Sequence, residues 1–564
     1  MINIIENTKT QITEVINHAI KKAVAAGQFP EIQIQEIILE VPREKQHGDF
    51  ATNIAMQMTR QAKKAPKWIA ETLVSHMELE NSVIDKVEVA GPGFINFYLK
   101  PQWLYEVIPA IEKEGGNYGR VNIGNGQKVM VEFVSANPTG PMHMGNARGG
   151  ALGDCLASVL DWAGYDVTRE FYINDAGNQI EKFGRSLEAR YIQLLKGEDA
   201  FPFPEDGYHG EDITDHMRDF IEIEGDKYLN VDSEERRKVF VKYALEKNIA
   251  KLKSDLEAYG IQYDVWFRES SLYENNEVQE TINYLKEKGY TYEDDNALWF
   301  KASEFGAEKD EVLIRNNGIP TYFAADIAYH RNKFVTRGFD RVIDIWGADH
   351  HGHVARMKGA MKAIGCDPDR LDIIIMQLVR LLRNGEVARM SKRTGRSVTL
   401  SDLLEETGKD AARFFFNMRQ ADSHLDFDLD LAVSQSNENP VYYVQYAHAR
   451  ICSIIRLLEE EGKKIQPAAQ INLSLLNQSE ELDLLRKLAE LPEEIKISAQ
   501  TLEPSRMTRY VLDLAALFHS FYNACRVKVE DRQLMAARLK LVDSVRIVIK
   551  NVLNMLGISA PEKM

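Results

Sequence analysis

"KVMVEFVSAN" (128–137), "PMHMGNARGG" (141–150) and "GALGDCLASVLDWAGY" (150–165) together decide the fold. The first is a strand-like run, the last is helix-like, and the middle stretch is the turn that joins them. A strand that ends in a loop and then a helix presents free backbone N–H groups at the carboxyl edge of a sheet, where an anion or nucleotide phosphate fits. Gly145 lets a base or ribose lie flat against the backbone, where a Cβ would obstruct it. His143 and Asn146 are three apart and share one side of the first helical turn, so both can donate to the same phosphate. Taken alone, four residues favour an ordinary helix cap with a satisfied surface histidine.

Outward from this turn, strands alternate with helices over about 115–195 and 310–430, in "YDVTREFYI", "GFDRVIDIWGAD" and "LDIIIMQLVRLL". That rhythm predicts a doubly wound parallel sheet of the Rossmann-like type. The acidic, aromatic-rich stretch at about 196–310 does not continue the rhythm and is expected to be an insertion. Residues 1–110 read as a small N-terminal α/β domain: an amphipathic helix, a strand-like "IQIQEIILEV" (32–41), helical "PKWIAETLVSHM", and "KVEVAGPGFINFYL" (86–99) as strand, Gly-Pro-Gly turn and strand. Residues 437–564 show three-to-four-residue apolar spacing throughout, which predicts a C-terminal α-helical bundle. The α/β region with its insertion then spans 111–436.

At 564 residues the chain is too long for one compact core. Its 44% hydrophobic and 27% charged composition is that of an ordinary globular protein. The first helix lacks the uninterrupted apolar core of a signal peptide, and no run approaches the ~20 apolar residues of a membrane span. Cys155, Cys366, Cys452 and Cys525 are scattered, so a reducing cytoplasm and no zinc–thiolate site are expected. The formal charge of −16 argues against nucleic-acid binding as a sum, but its distribution is uneven. Residues 196–235 carry 14 acidic and 3 basic side chains, while 501–564 carry 10 basic and 6 acidic, a local excess of +4.

A second stretch, "GEVARMSKRTGRSVTL" (385–400), sets Lys392 in a basic loop with Arg389, Arg393 and Arg396. Such a loop can fold over a triphosphate and supply charge where it develops in phosphoryl transfer. In this order and on this scaffold, HMGN resembles the HIGH signature and RMSKR the KMSKS signature of class I aminoacyl-tRNA synthetases. "VEFVSANPTGPMHMGNARGGALGD", "FYINDAGNQIEKFGRSLEARY", "GIPTYFAADIAYH" and "WGADHHGH" extend the likeness, which is to bacterial arginyl-tRNA synthetases and covers nearly the whole chain. The departures are Asn146 for His, Arg389 for Lys and Arg393 for Ser.

The resemblance implies ATP-dependent activation of L-arginine and transfer to the terminal adenosine of tRNA(Arg), with Mg²⁺ beside ATP and activation waiting for bound tRNA. It implies His143, Gly145, Asn146 and Lys392 as catalytic residues that also bind ATP. Gly347, Asp349, His350, Met390 and Ser391 complete the ATP set. Asp349 suits paired ribose hydroxyls; His353 is left open, and the histidines of "WGADHHGH" also admit a metal-cluster reading, although no metal is expected. Glu132, Asn137, Tyr322 and Asp326 are the implied arginine pocket, the last two at i, i+4 on one helical face. For the anticodon loop, Tyr442 and Tyr446 offer stacking faces, and Arg526, Lys528 and Arg532 offer charge. The N-terminal domain would meet the tRNA elbow. A monomer is expected, since one site and its tRNA domains fit in one chain. A cysteine-specific relative would want a thiolate zinc site. A glutamate-specific one would want basic residues at 132 and 326, and a non-catalytic paralogue would have lost His143, Gly145 and Lys392.

Overall fold

The computed structural model describes residues 2–33, 36–388 and 398–564. At its centre β1 (Lys128–Glu132), β2 (Asp166–Ile173), β3 (Val265–Arg268), β4 (Arg341–Gly347) and β5 (Leu371–Met376) form one parallel sheet in the order β5-β4-β1-β2-β3. The chain winds outward from β1 through β2 to β3, then crosses to β4 and β5 on the other side. The winding therefore reverses between β1 and β4, and the crevice that opens there lies at the strands' carboxyl ends. Glu132 ends one of these strands and Gly347 the other.

β1 is shorter than its apolar run predicts. It stops at Glu132 because Val134 (φ 69°) and Ser135 (φ 42°) are both left-handed, a conformation no strand contains. For a β-branched valine that backbone costs on the order of 1–3 kcal/mol, the kind of strain that persists where function needs it. Helix α1 (Gly145–Trp162) then packs back on the strand exit. Gly153 makes the close approach possible: a Cβ there would lie 2.2 Å from the Phe133 ring.

The stretch 196–310, expected to fall outside the βα rhythm, is only partly so. Helices α2 (Gly177–Lys196), α3 (Glu211–Glu224) and α4 (Ser233–Ala258) enclose a core of their own that includes Phe183, Tyr191, Met217 and Phe240. The chain then returns to the main sheet as β3, and only afterwards builds a small antiparallel sheet from Thr291–Asp294, Ala297–Phe300 and Glu311–Ile314. Four residues with three aromatic or β-branched side chains are too short a run to show a period, which is why β3 escapes a reading of the sequence. Helix α5 (Tyr322–Arg331) follows and continues into a π turn, Asn332–Thr336.

The N-terminal part has a helix at Ile4–Ala25, capped by Asn3, over a three-stranded antiparallel sheet. Ile84–Ala90 and Phe94–Leu99 pair across the expected Gly-Pro-Gly turn. The alternation in 32–41 does not yield a strand among the described residues: Glu40 alone bridges to Ala51. The expected C-terminal bundle consists of α6 (Pro440–Glu460), α7 (Ser479–Thr501), α8 (Ser505–Ala524) and α9 (Arg532–Met555). One continuous core joins all three parts, from Ile4 through Phe133 to Ile558. At its centre buried Arg413 donates to Asp154 Oδ2 of α1 (2.5 Å), to the Leu556 carbonyl beyond α9 (2.7 Å) and to the Tyr259 carbonyl (3.3 Å). Among the described residues no helix is long and apolar enough to cross a membrane.

Candidate active site

A cavity of about 800 Å³ opens at the reversal point of the sheet. Glu132, Asn137, Tyr322, Asp326, Gly347, Asp349 and His350 all line it. Residues separated by more than two hundred positions meet there because β1, α5 and β4 deliver them to one edge.

Asp326 and Tyr322 project from one face of α5. Asp326 Oδ2 lies 3.1 Å from His353 Nε2, so His353 serves this carboxylate. Glu132 is gripped on both oxygens. Ser135 Oγ donates to Oε1 (2.9 Å) and buried Lys333 donates to Oε2 (2.6 Å). Burial pushes the Glu132 carboxyl above its usual range, and Lys333 opposes that rise. Asp344, which shares Lys333, is held down at about 2: the Lys333 ammonium and His330 outweigh its burial.

The sequence reading missed Glu269, which follows β3 directly and lines the same cavity. It is only 6% exposed. Burial, reinforced by the nearby Asp326 carboxylate, pushes its pKa up to about 7. Asn174, with its amide nitrogen turned toward the carboxylate, donates to Glu269 Oε2 at 2.9 Å. Asn174, Asn178 and Gln179 of "NDAGNQ" thereby gain a location on the cavity wall.

The signature turn stands beside this cavity, and His143, Gly145 and Asn146 are not among the residues lining it. The Gly145 N–H donates to His143 Nδ1 at 3.0 Å, which leaves Nε2 to carry the ring proton. Partial burial also lowers the pKa of His143, so the ring is a neutral donor. The turn is laced to the residues that follow the second signature. Met144 N donates to the Val398 carbonyl (3.0 Å), and Leu400 N donates to the Met142 carbonyl (2.9 Å). Met390, Ser391 and Lys392 lie outside the described residues. Helix α4 braces the same turn from behind, where Asn248 Nδ2 donates to the Pro138 carbonyl at 2.8 Å.

The residues expected to meet the anticodon lie on α6 and between the end of α8 and the start of α9. Tyr442 and Tyr446 stack with ring centroids 6.2 Å apart, near the start of α6. Arg526, Lys528 and Arg532 are exposed, and Lys528 pairs with Glu461, just past the end of α6. A helix rises 1.5 Å per residue, so Glu461, the partner of Lys528, lies about 28 Å along the helix axis from Tyr442, whereas Tyr446 stacks on His519 of α8, the helix that ends just before Arg526.

A parallel sheet wound in this way, with a nucleotide-type turn after its first strand, a second signature in the sequence just ahead of the Val398–Leu400 segment bonded to that turn, and a helical bundle docked behind, defines a class I aminoacyl-tRNA synthetase. Three family models match in order: the arginyl-tRNA synthetase N-terminal domain over 10–99, the class I (R) synthetase catalytic domain over 107–428, and the DALR anticodon-binding domain over 444–564. The chain is 68% identical to the arginine–tRNA ligase of Acetivibrio thermocellus and 63% identical to that of Caldanaerobacter subterraneus, each over 564 residues and the full length of both chains. The chain belongs to the arginyl-tRNA synthetase family. The arginyl-tRNA synthetase structure from Thermus thermophilus shares its fold, with a TM-score of 0.73 at 22% identity over 98% of this chain and 99% of that one.

Proposed function

We propose that the protein is an arginine–tRNA ligase that activates L-arginine with ATP and charges tRNA(Arg). The observation that carries this reading is the convergence of Glu132, Asp326 and Glu269 on one cavity with Asp349, beside the signature turn. Three carboxylates are what a substrate with two cationic ends requires. Asp326 and Glu269 are close enough to raise the pKa of Glu269, and a pair of acceptors suits the planar guanidinium fork. Glu132 ends the strand that runs into the signature turn, so it takes the α-ammonium and sets the α-carboxylate toward ATP. Tyr322 and Asn137 complete the pocket.

A carboxylate oxygen of arginine attacks the α-phosphorus of ATP, and pyrophosphate leaves. The 2′-hydroxyl of the terminal adenosine then attacks the carbonyl carbon of the arginyl-adenylate, and AMP leaves. His143 and Asn146 are donors at the α-phosphate, and Lys392 with Met390 and Ser391 adds charge and closure over the phosphates. Gly347, Asp349 and His350 hold the adenosine, with the Asp349 carboxylate accepting from the ribose. Mg²⁺ enters with ATP, bound to its phosphates. Tyr442, Tyr446, Arg526, Lys528 and Arg532 contact the anticodon loop of the tRNA, and the enzyme acts as a monomer in the cytoplasm.

Arginine-dependent ATP–pyrophosphate exchange, run with and without tRNA(Arg), tests this reading. Exchange that needs both arginine and tRNA is expected. Exchange driven by another amino acid overturns the specificity, and no exchange in either condition overturns the activity.

A further inference from the structure

Lys333, in the π turn after α5, is completely buried. Its ammonium donates to Glu132 Oε2 (2.6 Å) and Asp344 Oδ1 (2.9 Å), and it lies 4.2 Å from the centroid of the Tyr329 ring. An ammonium has three N–H donors. Two hydrogen bonds and a ring face occupy all of them, so Lys333 has nothing left for a substrate. It is absent from the cavity wall that Glu132 and Asp344 help to form.

A carboxylate offers about four lone-pair sites. On Glu132 one is taken by Lys333 and one by Ser135, whose left-handed backbone sets its hydroxyl against Oε1. The remaining sites face the cavity. Without a neighbouring cation, a carboxyl this deeply buried would take up a proton and turn from acceptor into donor. The titratable groups around the pair are Asp344 on β4, His330 on α5 and Glu170 on β2. Glu170 is satisfied by Arg337 and the Tyr329 hydroxyl, so it takes nothing from Lys333. Tyr172 and Tyr263 complete the neighbourhood and stay protonated because they are buried.

We propose that Lys333 is a positioning residue for amino-acid activation, holding the Glu132 carboxylate ionised and aimed at the α-ammonium of the substrate. The proposal rests on the assignment of Glu132 made above. π turns occur frequently at functional sites, and this one puts the ammonium within reach of two adjacent parallel strands at the paired positions Glu132 and Asp344.

The test is pyrophosphate exchange by the full chain with tRNA(Arg), between about pH 5.5 and 8.5, on the double variant Lys333→Met, Asp344→Asn, which leaves Asp344 with no charge to strand. The arginine KM should rise about ten-fold or more with kcat within about three-fold, and the acidic limb should move up by about a unit or more. Inhibition by 5-guanidinopentanoate, which lacks the α-ammonium, should not change. A role confined to stability would lower Tm and leave the KM and the limb in place, which overturns the proposal. Asp344→Asn alone, which keeps Lys333 and removes a carboxylate that pushes the Glu132 pKa up, should move the limb down; an upward move or no move counts against the proposal. Glu132→Gln separates the two layers. If it leaves the arginine KM unchanged, the assignment of Glu132 falls. If it raises the KM and the Lys333 variants do not, Lys333 alone is overturned.

Discussion

His353 Nε2 stands 3.1 Å from Asp326 Oδ2, wedged between the rings of Trp346 (5.5 Å) and Phe323 (5.6 Å). The histidine belongs by sequence to the motif assigned to ATP, yet its contact is with the carboxylate assigned to arginine. A hydrogen bond to a charged group contributes about 1.5–3 kcal/mol. His353→Ala should therefore raise the arginine KM about ten-fold or more and leave the ATP KM within about two-fold. Steady-state exchange with each substrate varied in turn measures the split.

Glu269 should make arginine binding a proton-linked event. With a pKa of about 7, the empty site holds most of a proton on this carboxyl at pH 6.5. A guanidinium needs the ionised form, so binding should release about three-quarters of a proton there, read by calorimetry in buffers of different ionisation enthalpy. Glu269→Gln should abolish the release and weaken arginine binding. The same shift acts on the fold with a definite sign. The folded pKa lies above the unfolded one, so this contribution is full below about pH 4.5 and is lost as pH rises through about 7, at most about 3 kcal/mol. Thermal melts of the free protein from pH 5 to 8 should show that decline, and the Gln variant should flatten it.

Asn146 occupies the place of the second signature histidine. Its amide donates without titrating. Asn146→Ala should slow adenylate formation about 100-fold, the usual loss when one transition-state donor is removed, and Asn146→His should slow it less. Equal rates for Ala and the parent in single-turnover measurements would reduce Asn146 to a helix-turn residue.

Arg413 joins three parts of the chain through Asp154, Tyr259 and Leu556. Replacing it with Met leaves the buried Asp154 carboxylate to Arg169 alone and strands two buried carbonyls, at a cost of about 3 kcal/mol. Urea unfolding should register the loss. Limited proteolysis should also release the helical bundle earlier than from the parent, because the bundle loses its polar anchor to α1.

The sequence exposed what periodicity and motif chemistry can carry. Long helices such as α9 span six turns, and their apolar stripe repeats often enough to be read. Tyr322 and Asp326 could be paired because i, i+4 spacing fixes a face before any tertiary contact forms. Glu269 was lost together with β3, because the only mark of its importance is that it follows the carboxyl end of a sheet strand. Lys333 and His353 were beyond reach for another reason: their partners are 201 and 27 positions away, and no local rule brings those atoms together. The end of β1 was misjudged because the backbone of Val134 contradicts its own side chain's preference, a conflict that tertiary structure imposes.

The Arg413 junction also bears on how the protein is born. Its partner Leu556 leaves the ribosome 402 residues after Asp154, since 556 − 154 = 402. Until then the Arg413 guanidinium, on the helix Lys409–Phe416 beside α1, lacks one of its three acceptors. Synthesis proceeds from the amino terminus and folding usually follows it one domain at a time. Here the last polar contact in the interior of the catalytic domain closes only when the end of the bundle packs against it, so the two parts are finished together.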